Sequence, residues 1–102
     1  MIKIGITGSK GLLGILLKKK LKKKRIKFSE FRGDISKKSN VSKWMSSNKD
    51  IEYIFHFAAV SSPKKARENQ DRAKKINILG TNNLIIKTNK SKKKIWFFFP
   101  ST

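Results

Sequence analysis

The chain has 102 residues, no cysteine, and 26 Lys+Arg against 6 Asp+Glu, a formal net charge of +20. That length suits one small domain or half of a larger one, and the absence of cysteine excludes disulfides and thiolate metal sites. No apolar stretch approaches the ~20 residues that cross a bilayer, and lysines and glycines break the apolar N-terminal run where a signal peptide would need it whole, so a reducing, cytoplasmic setting is the expectation.

The first element is a buried parallel strand over residues 2–7, Ile2-Lys3-Ile4-Gly5-Ile6-Thr7. A glycine turn follows at once, Thr7-Gly8-Ser9-Lys10-Gly11-Leu12-Leu13-Gly14, spaced G-x-x-G-x-x-G. From Gly11 the pattern becomes helical, with Leu13, Leu17 and Leu21 at i, i+4 and i+8. Strand, glycine turn and helix in this order place a pyrophosphate on a helix N-terminus. One glycine allows the tight turn, one lets the backbone approach the phosphates, and one lets helix and sheet pack closely. The N–H groups and positive dipole end of the helix then hold the anion.

The end of this helix carries Lys18, Lys19, Lys20, Lys22, Lys23, Lys24 and Arg25. Cations there complement the helix dipole without any partner. A charge excess of this size also attracts nucleic acid, anionic membranes or phosphorylated small molecules. The run lacks interleaved aromatics, so a basic module binding nucleic acid through Lys18–Lys27 stands as the alternative reading. Residue usage rich in Lys, Asn, Ile and Phe, as an A+T-biased genome produces, explains the same excess without a partner.

Ile26-Lys27-Phe28-Ser29-Glu30-Phe31 alternates apolar and polar, which predicts a second strand, and Gly33-Asp34-Ile35-Ser36 punctuates it. Val41, Trp44 and Met45 at i, i+3 and i+4 predict a short amphipathic helix over 38–48. Asp50 to Ala59 is the clearest predicted strand, ended by Ser61-Ser62-Pro63. A long helix is predicted over 66–90, with Ala73, Ile76, Gly80 and Leu84 on one stripe. Ile95-Trp96-Phe97-Phe98-Phe99 is a continuous apolar run of the kind a central parallel strand shows, and Pro100-Ser101-Thr102 follows. Strand and helix alternate throughout, so the expected fold is α/β, a Rossmann-like doubly wound parallel sheet in a single domain spanning residues 1–102. In such a sheet the ligand lies beyond the carboxyl ends of the strands. Gly8 and Gly11, Glu30 with Asp34, Phe57-Ala58-Ala59-Val60, and Ser101-Thr102 all fall there.

Taken together, the turn at 7–14, Gly33-Asp34-Ile35, His56-Phe57-Ala58-Ala59 and Asn77-Ile78-Leu79-Gly80-Thr81-Asn82-Asn83-Leu84 resemble the extended short-chain dehydrogenase/reductase family. That family includes nucleotide-sugar epimerases, dehydratases and 4-keto reductases. The short stretch between Glu30 and Asp34 looks more like its dTDP-4-dehydrorhamnose reductase branch. The resemblance implies a nicotinamide dinucleotide cofactor. The backbone from Gly8 through Lys10, Gly11, Leu12 and Leu13 to Gly14 would cradle the pyrophosphate. Asp34 would accept a hydrogen bond from the adenine amino group, with Ile35 near the ring. Phe57, Ala58 and Ala59 would pass under the ribose and nicotinamide, and Asn77 would brace the strand ends. Thr102 matches the Ser/Thr that hydrogen-bonds the substrate's reacting oxygen.

The residues themselves leave alternatives. Asp34 also reads as a turn residue or helix cap, His56 as a packed strand residue, and Asn77 as structural. Glu30 is placed to accept ribose hydroxyls, which favours NAD. Lys10 and Arg32 instead suit the 2′-phosphate of NADP, and charge pairing of Glu30 with Lys10 or Arg32 is a third arrangement; the reading leans to NADP. The family's chemistry depends on a Tyr-x-x-x-Lys pair, whereas the only tyrosine, Tyr53, has Phe57 four residues on. With an apolar final strand and nothing after it to cover it, the expectation is the N-terminal, cofactor-binding portion of a longer nucleotide-sugar enzyme, ending after the strand near Phe99, without turnover of its own.

Overall fold

The computed structural model describes residues 2–58, 70–90 and 93–99, with side chains from residue 77 onward in the helix that begins at 70. In chain order its elements are β1 (Lys3–Thr7), α1 (Leu12–Lys23), β2 (Lys27–Glu30), α2 (Lys38–Ser47), β3 (Tyr53–His56), α3 (Gln70–Asn89) and β4 (Trp96–Phe98). The four strands form one parallel sheet in the order β2-β1-β3-β4. This is the Rossmann-like arrangement that the alternation predicts.

Alternation along each strand sorts side chains to two faces. Ile4 and Ile6 of β1 face α1 and pack with Leu21, flanked by Leu17, Ile26, Phe28, Tyr53, Phe55 and Phe57. Ile54 of β3 faces the other way, into a larger core with Phe31, Ile35, Val41, Trp44, Met45, Ile51 and Leu84. Helices α2 and α3 cover that second face. The order steps one way from β1 to β2 and the other way through β3 to β4, so right-handed crossovers put α1 on one face and α2 and α3 on the other. Ile6, Ile51 and Ile54 are fully buried, and each contributes about 1.5–3 kcal/mol relative to exposure.

Helix α1 closes with a Schellman motif. The Arg25 N–H donates to the Lys22 carbonyl at 3.2 Å and the Ile26 N–H to the Leu21 carbonyl at 2.9 Å. Arg25 adopts φ +57°, and Ile26 packs back onto Leu21. The stop is therefore made by hydrogen bonding and an apolar contact, with an arginine where glycine is usual.

One expectation is corrected. Leu13 does not belong to the buried stripe of α1: it is 50% exposed, whereas Leu21 is 4% exposed. A spacing of four advances each residue past a full turn, so Leu13 and Leu21 stand about 80° apart around the axis. Gly14, Leu17 and Leu21 form the inward stripe instead. The run 95–99 forms β4, the uncovered apolar strand that was expected: among the described residues it pairs with β3 alone, and Trp96, Phe98 and Phe99 are exposed. Of the predicted stripe on the long helix, Gly80 and Leu84 are buried; the side chains of Ala73 and Ile76 and the residues 66–69 lie outside the described residues.

Candidate functional site

The strand order reverses between β1 and β3, which opens a crevice beyond their carboxyl ends. The turn leaving β1 borders it. Gly8 has φ +68°, a left-handed conformation that side chains resist. A Cβ there would stand 2.5 Å from the Phe57 carbonyl carbon and 2.6 Å from the Ala58 nitrogen. Gly8 thus lies directly on the Phe57–Ala58 peptide leaving β3. Gly14 is equally confined: its Cβ would stand 2.6 Å from the Ser9 Cα and 2.7 Å from the Gly8 carbonyl oxygen. The first turn of α1 is therefore pressed backbone to backbone against the end of β1.

Gly11 differs. It caps α1 with extended backbone, φ −76° and ψ 172°, and no side-chain cap. A Cβ on it would meet only the Gly8 oxygen, at an ordinary 3.6 Å. The first N–H groups of any helix lack intrahelical acceptors, and here they open beside exposed Gly11, Leu12 and Leu13 with Lys10 alongside. Gly8 and Gly14 thus fit backbone to backbone, and Gly11 leaves space beside the helix N-terminus.

A buried polar chain ties the strand ends together. The Ala58 N–H donates to Thr7 Oγ1 at 3.1 Å, and Thr7 Oγ1 lies 2.6 Å from His56 Nδ1. His56 Nε2 lies 3.0 Å from Thr81 Oγ1 on α3. Burial holds the imidazole below its usual pKa. The packed-residue reading of His56 thus has an explicit geometry.

At the end of β2, Glu30 is spanned by cations. Lys18 Nζ lies 2.8 Å from Oε1 and Arg32 Nη2 3.3 Å from Oε2. The Lys18 ammonium, then the Ser9 hydroxyl, hold the carboxyl below the usual glutamate range against the opposing effect of burial. Pairing with Arg32 was one arrangement the sequence left open; Lys10 does not take part, and Lys18 takes its place. Lys18 is thereby drawn out of the basic run, while Lys19, Lys20, Lys22, Lys23 and Lys24 remain exposed.

Asp34 shapes a turn: its Oδ1 accepts from the Ser36 N–H at 2.9 Å and the Ser36 hydroxyl at 2.6 Å. The helix cap of α2 falls on Lys37 rather than Asp34. Ile35 is buried, its side chain seated against Gly80 of α3. Phe57 and Ala58 are half-buried, and so is Asn77 on α3. Ala59 and Thr102 lie outside the described residues. Among those described, no three His, Asp or Glu side chains gather as a metal site, and no helix is long and apolar enough to cross a membrane.

Sequence reasoning passed over Lys18, Ser9, Thr81 and Asn83 as individual residues. Thr81 and Asn83 do sit in the Asn77–Leu84 block it singled out, and polar side chains near buried Gly80 and Leu84 were the available signal.

A family model described as the RmlD substrate binding domain matches residues 2–102, and the chain belongs to that family. Among solved structures, a dTDP-4-dehydrorhamnose reductase from Clostridium acetobutylicum is 31% identical, over 92% of this chain and 34% of that one, with a TM-score of 0.77. The dTDP-4-dehydrorhamnose reductase of Bacillus anthracis, solved in complex with NADP, is 26% identical over 93% of this chain and 35% of its own, with a TM-score of 0.79. A Thermotoga maritima UDP-glucose 4-epimerase, solved with UDP-glucose, shares the fold at a TM-score of 0.87 and 24% identity, over 99% of this chain and 38% of that one. The chain thus spans roughly a third of the length of these structures. No curated protein matches it.

Proposed function

We propose that this member of the RmlD substrate binding domain family is a nicotinamide dinucleotide-binding module of a nucleotide-sugar reductase, epimerase or dehydratase. The observation that carries the reading is the contact of Gly8 with the Phe57–Ala58 peptide, which sets the first turn of α1 over the crevice between β1 and β3. The backbone N–H groups of Leu12, Leu13 and Gly14 would bind the pyrophosphate; the Gly11 N–H is held by the Gly8 carbonyl. Asp34 would accept from the adenine amino group. Phe57 and Ala58, with Ala59, would line the nicotinamide side, and Asn77 would brace it. Thr102 would orient the sugar oxygen.

When bound, the nicotinamide ring gives or takes a hydride at C4. The residues of this chain bind and orient for that chemistry, but no Tyr-x-x-x-Lys pair stands among them to move the proton, because Phe57 follows Tyr53 at that spacing. For residues 1–102 the expected behaviour is binding without turnover.

NADP is the favoured form. Lys18 and Arg32 neutralise Glu30, which weakens its claim on ribose hydroxyls, while exposed Lys10 and Arg32 stand ready for a 2′-phosphate.

The test is titration with NADPH and NADH, followed by energy transfer from Trp44 and Trp96 to the reduced nicotinamide. Saturable binding that is lost in Gly11→Asp supports the reading, since Gly11 has room for a side chain and the variant keeps the fold. A cooperatively melting chain that binds neither form overturns it.

A further inference from the structure

Helix α3 reaches the loop after β2 through one side chain. Asn83 Nδ2 donates to the Ile35 carbonyl at 3.0 Å and to the Ser36 carbonyl at 3.0 Å, across 48 and 47 residues. One amide nitrogen thus serves both carbonyls. The N–H ends of the same two peptide units are held by Asp34. Its Oδ1 accepts from the Ser36 N–H at 2.9 Å, and its main-chain oxygen accepts from the Lys37 N–H at 3.2 Å. Two consecutive peptide planes are thus gripped at one end by Asn83 and at the other by Asp34.

The grip is seated by packing. Ile35 plugs against Gly80, three residues before Asn83 and on the same face of α3, where a Cβ would come within 2.6 Å of Ile35 Cγ2. The Asn40 amide donates to the Asp34 carbonyl from α2 at 3.1 Å. The rotation of the Ile35–Ser36 peptide, and with it the direction of the Asp34 carboxylate, is therefore set from a helix on the far side of the loop.

We infer that Asn83 is a positioning residue for Asp34, and so for recognition of the adenine end of the dinucleotide. This rests on the dinucleotide reading above. Asn83 touches no ligand; it fixes the carboxylate that does.

The experiment uses the whole chain and three probes: NADPH, ADP for the adenine half, and nicotinamide mononucleotide for the other. Asn83→Ala, and Asn83→Asp as an isosteric variant that removes the donors, are each compared with wild type and with Asp34→Ala. Loss of two hydrogen bonds from the loop should weaken NADPH and ADP roughly tenfold and leave the mononucleotide unchanged. Adding Asn83→Ala to Asp34→Ala should then cost nothing further. A uniform loss across all three probes makes Asn83 merely structural and overturns the inference alone. So does unchanged ADP affinity in Asn83→Asp. Failure of the wild-type chain to bind any probe overturns the dinucleotide reading itself, and this inference with it. If Asn83→Ala does not melt cooperatively, amide exchange at Ser36 and Lys37 in Asn83→Asp decides: protection equal to wild type overturns the grip, and faster exchange confined to those two amides supports it.

Discussion

Thr7 Oγ1 lies 2.6 Å from His56 Nδ1 and accepts from the Ala58 N–H at 3.1 Å, so one hydroxyl joins the ends of β1 and β3. His56 Nε2 lies 3.0 Å from Thr81 Oγ1, which extends the contact to α3. Burial favours the neutral imidazole.

Burial disfavours the charged imidazole of His56, so the fold should weaken in mild acid. The folded pKa lies below the ordinary histidine value of 6.5. The unfolded chain binds the proton first, and stability contributed by His56 is full above that value and is lost as pH falls toward the folded pKa. The slope is at most about 1.4 kcal/mol per pH unit. Urea melts between pH 7.5 and 5.5 should show the decline, and His56→Gln should flatten it.

The three glycines of the turn should separate on substitution. Gly8→Ala combines a left-handed φ with a clash against the Phe57–Ala58 backbone, and Gly14→Ala clashes with Ser9. Each should destabilise by about 2 kcal/mol or more. Gly11→Ala should cost under about 1 kcal/mol and still weaken NADPH binding, because its methyl group occupies the approach to the helix N-terminus. Paired denaturation and binding curves check this; a Gly8→Ala variant as stable as wild type would contradict the contact.

Glu30 acts on the same side of the pH scale, further into acid. Lys18 and Ser9 lower its pKa, so its contribution is present above the usual glutamate range and is lost as pH falls through the lowered folded value. Glu30→Gln should remove that acid-range dependence. The same variant leaves Lys18 and Arg32 without their anion and should raise the preference for NADPH over NADH severalfold. Arg32→Ala should lower that preference, as competitive titration of the two cofactors would show.

Arg25 occupies the left-handed position of the Schellman stop with φ +57°. Arg25→Gly should stabilise the chain by about 0.5–1 kcal/mol, since the strain relieved exceeds the entropy glycine adds to the unfolded state. A thermal melt reads it directly.

Neutralising Lys22, Lys23 and Lys24 to glutamine should leave dinucleotide affinity unchanged, because these side chains lie at the far end of α1 from Gly11. A basic module would instead lose tight, steeply salt-dependent nucleic-acid binding in the same variant. Binding measured at two salt concentrations distinguishes the readings.

Much of this was legible because it is local. Glycine spacing after an apolar strand announces the turn from β1 into α1, and the Val41, Trp44 and Met45 period announces α2. The apolar run at 95–99 shows that a strand forms there, but its composition carries nothing about which strands pair with it. The partners of Glu30, His56 and Ile35 were hidden for a related reason. Lys18, Thr81 and Asn83 lie 12, 25 and 48 residues away, and no spacing rule reaches across a fold. Ile35 was legible as part of the loop that follows β2. That its side chain is buried against Gly80 depends on where α3 crosses the loop.

Strand β4 offers its outer edge to solvent among the described residues, with Phe98 stacked on Phe55 at 4.7 Å and Trp96 beneath the Lys94 ammonium at 4.3 Å. An open aromatic edge invites strand addition from another copy, and charge is the usual deterrent. Here the deterrent is the net +20 of the whole chain, a repulsion whose range shrinks from ~30 Å at 0.01 M salt to ~3 Å at 1 M. The colloidal behaviour of the protein is therefore set by ionic strength: dispersed in dilute buffer, it should self-associate edge to edge as salt is added, long before its fold is affected.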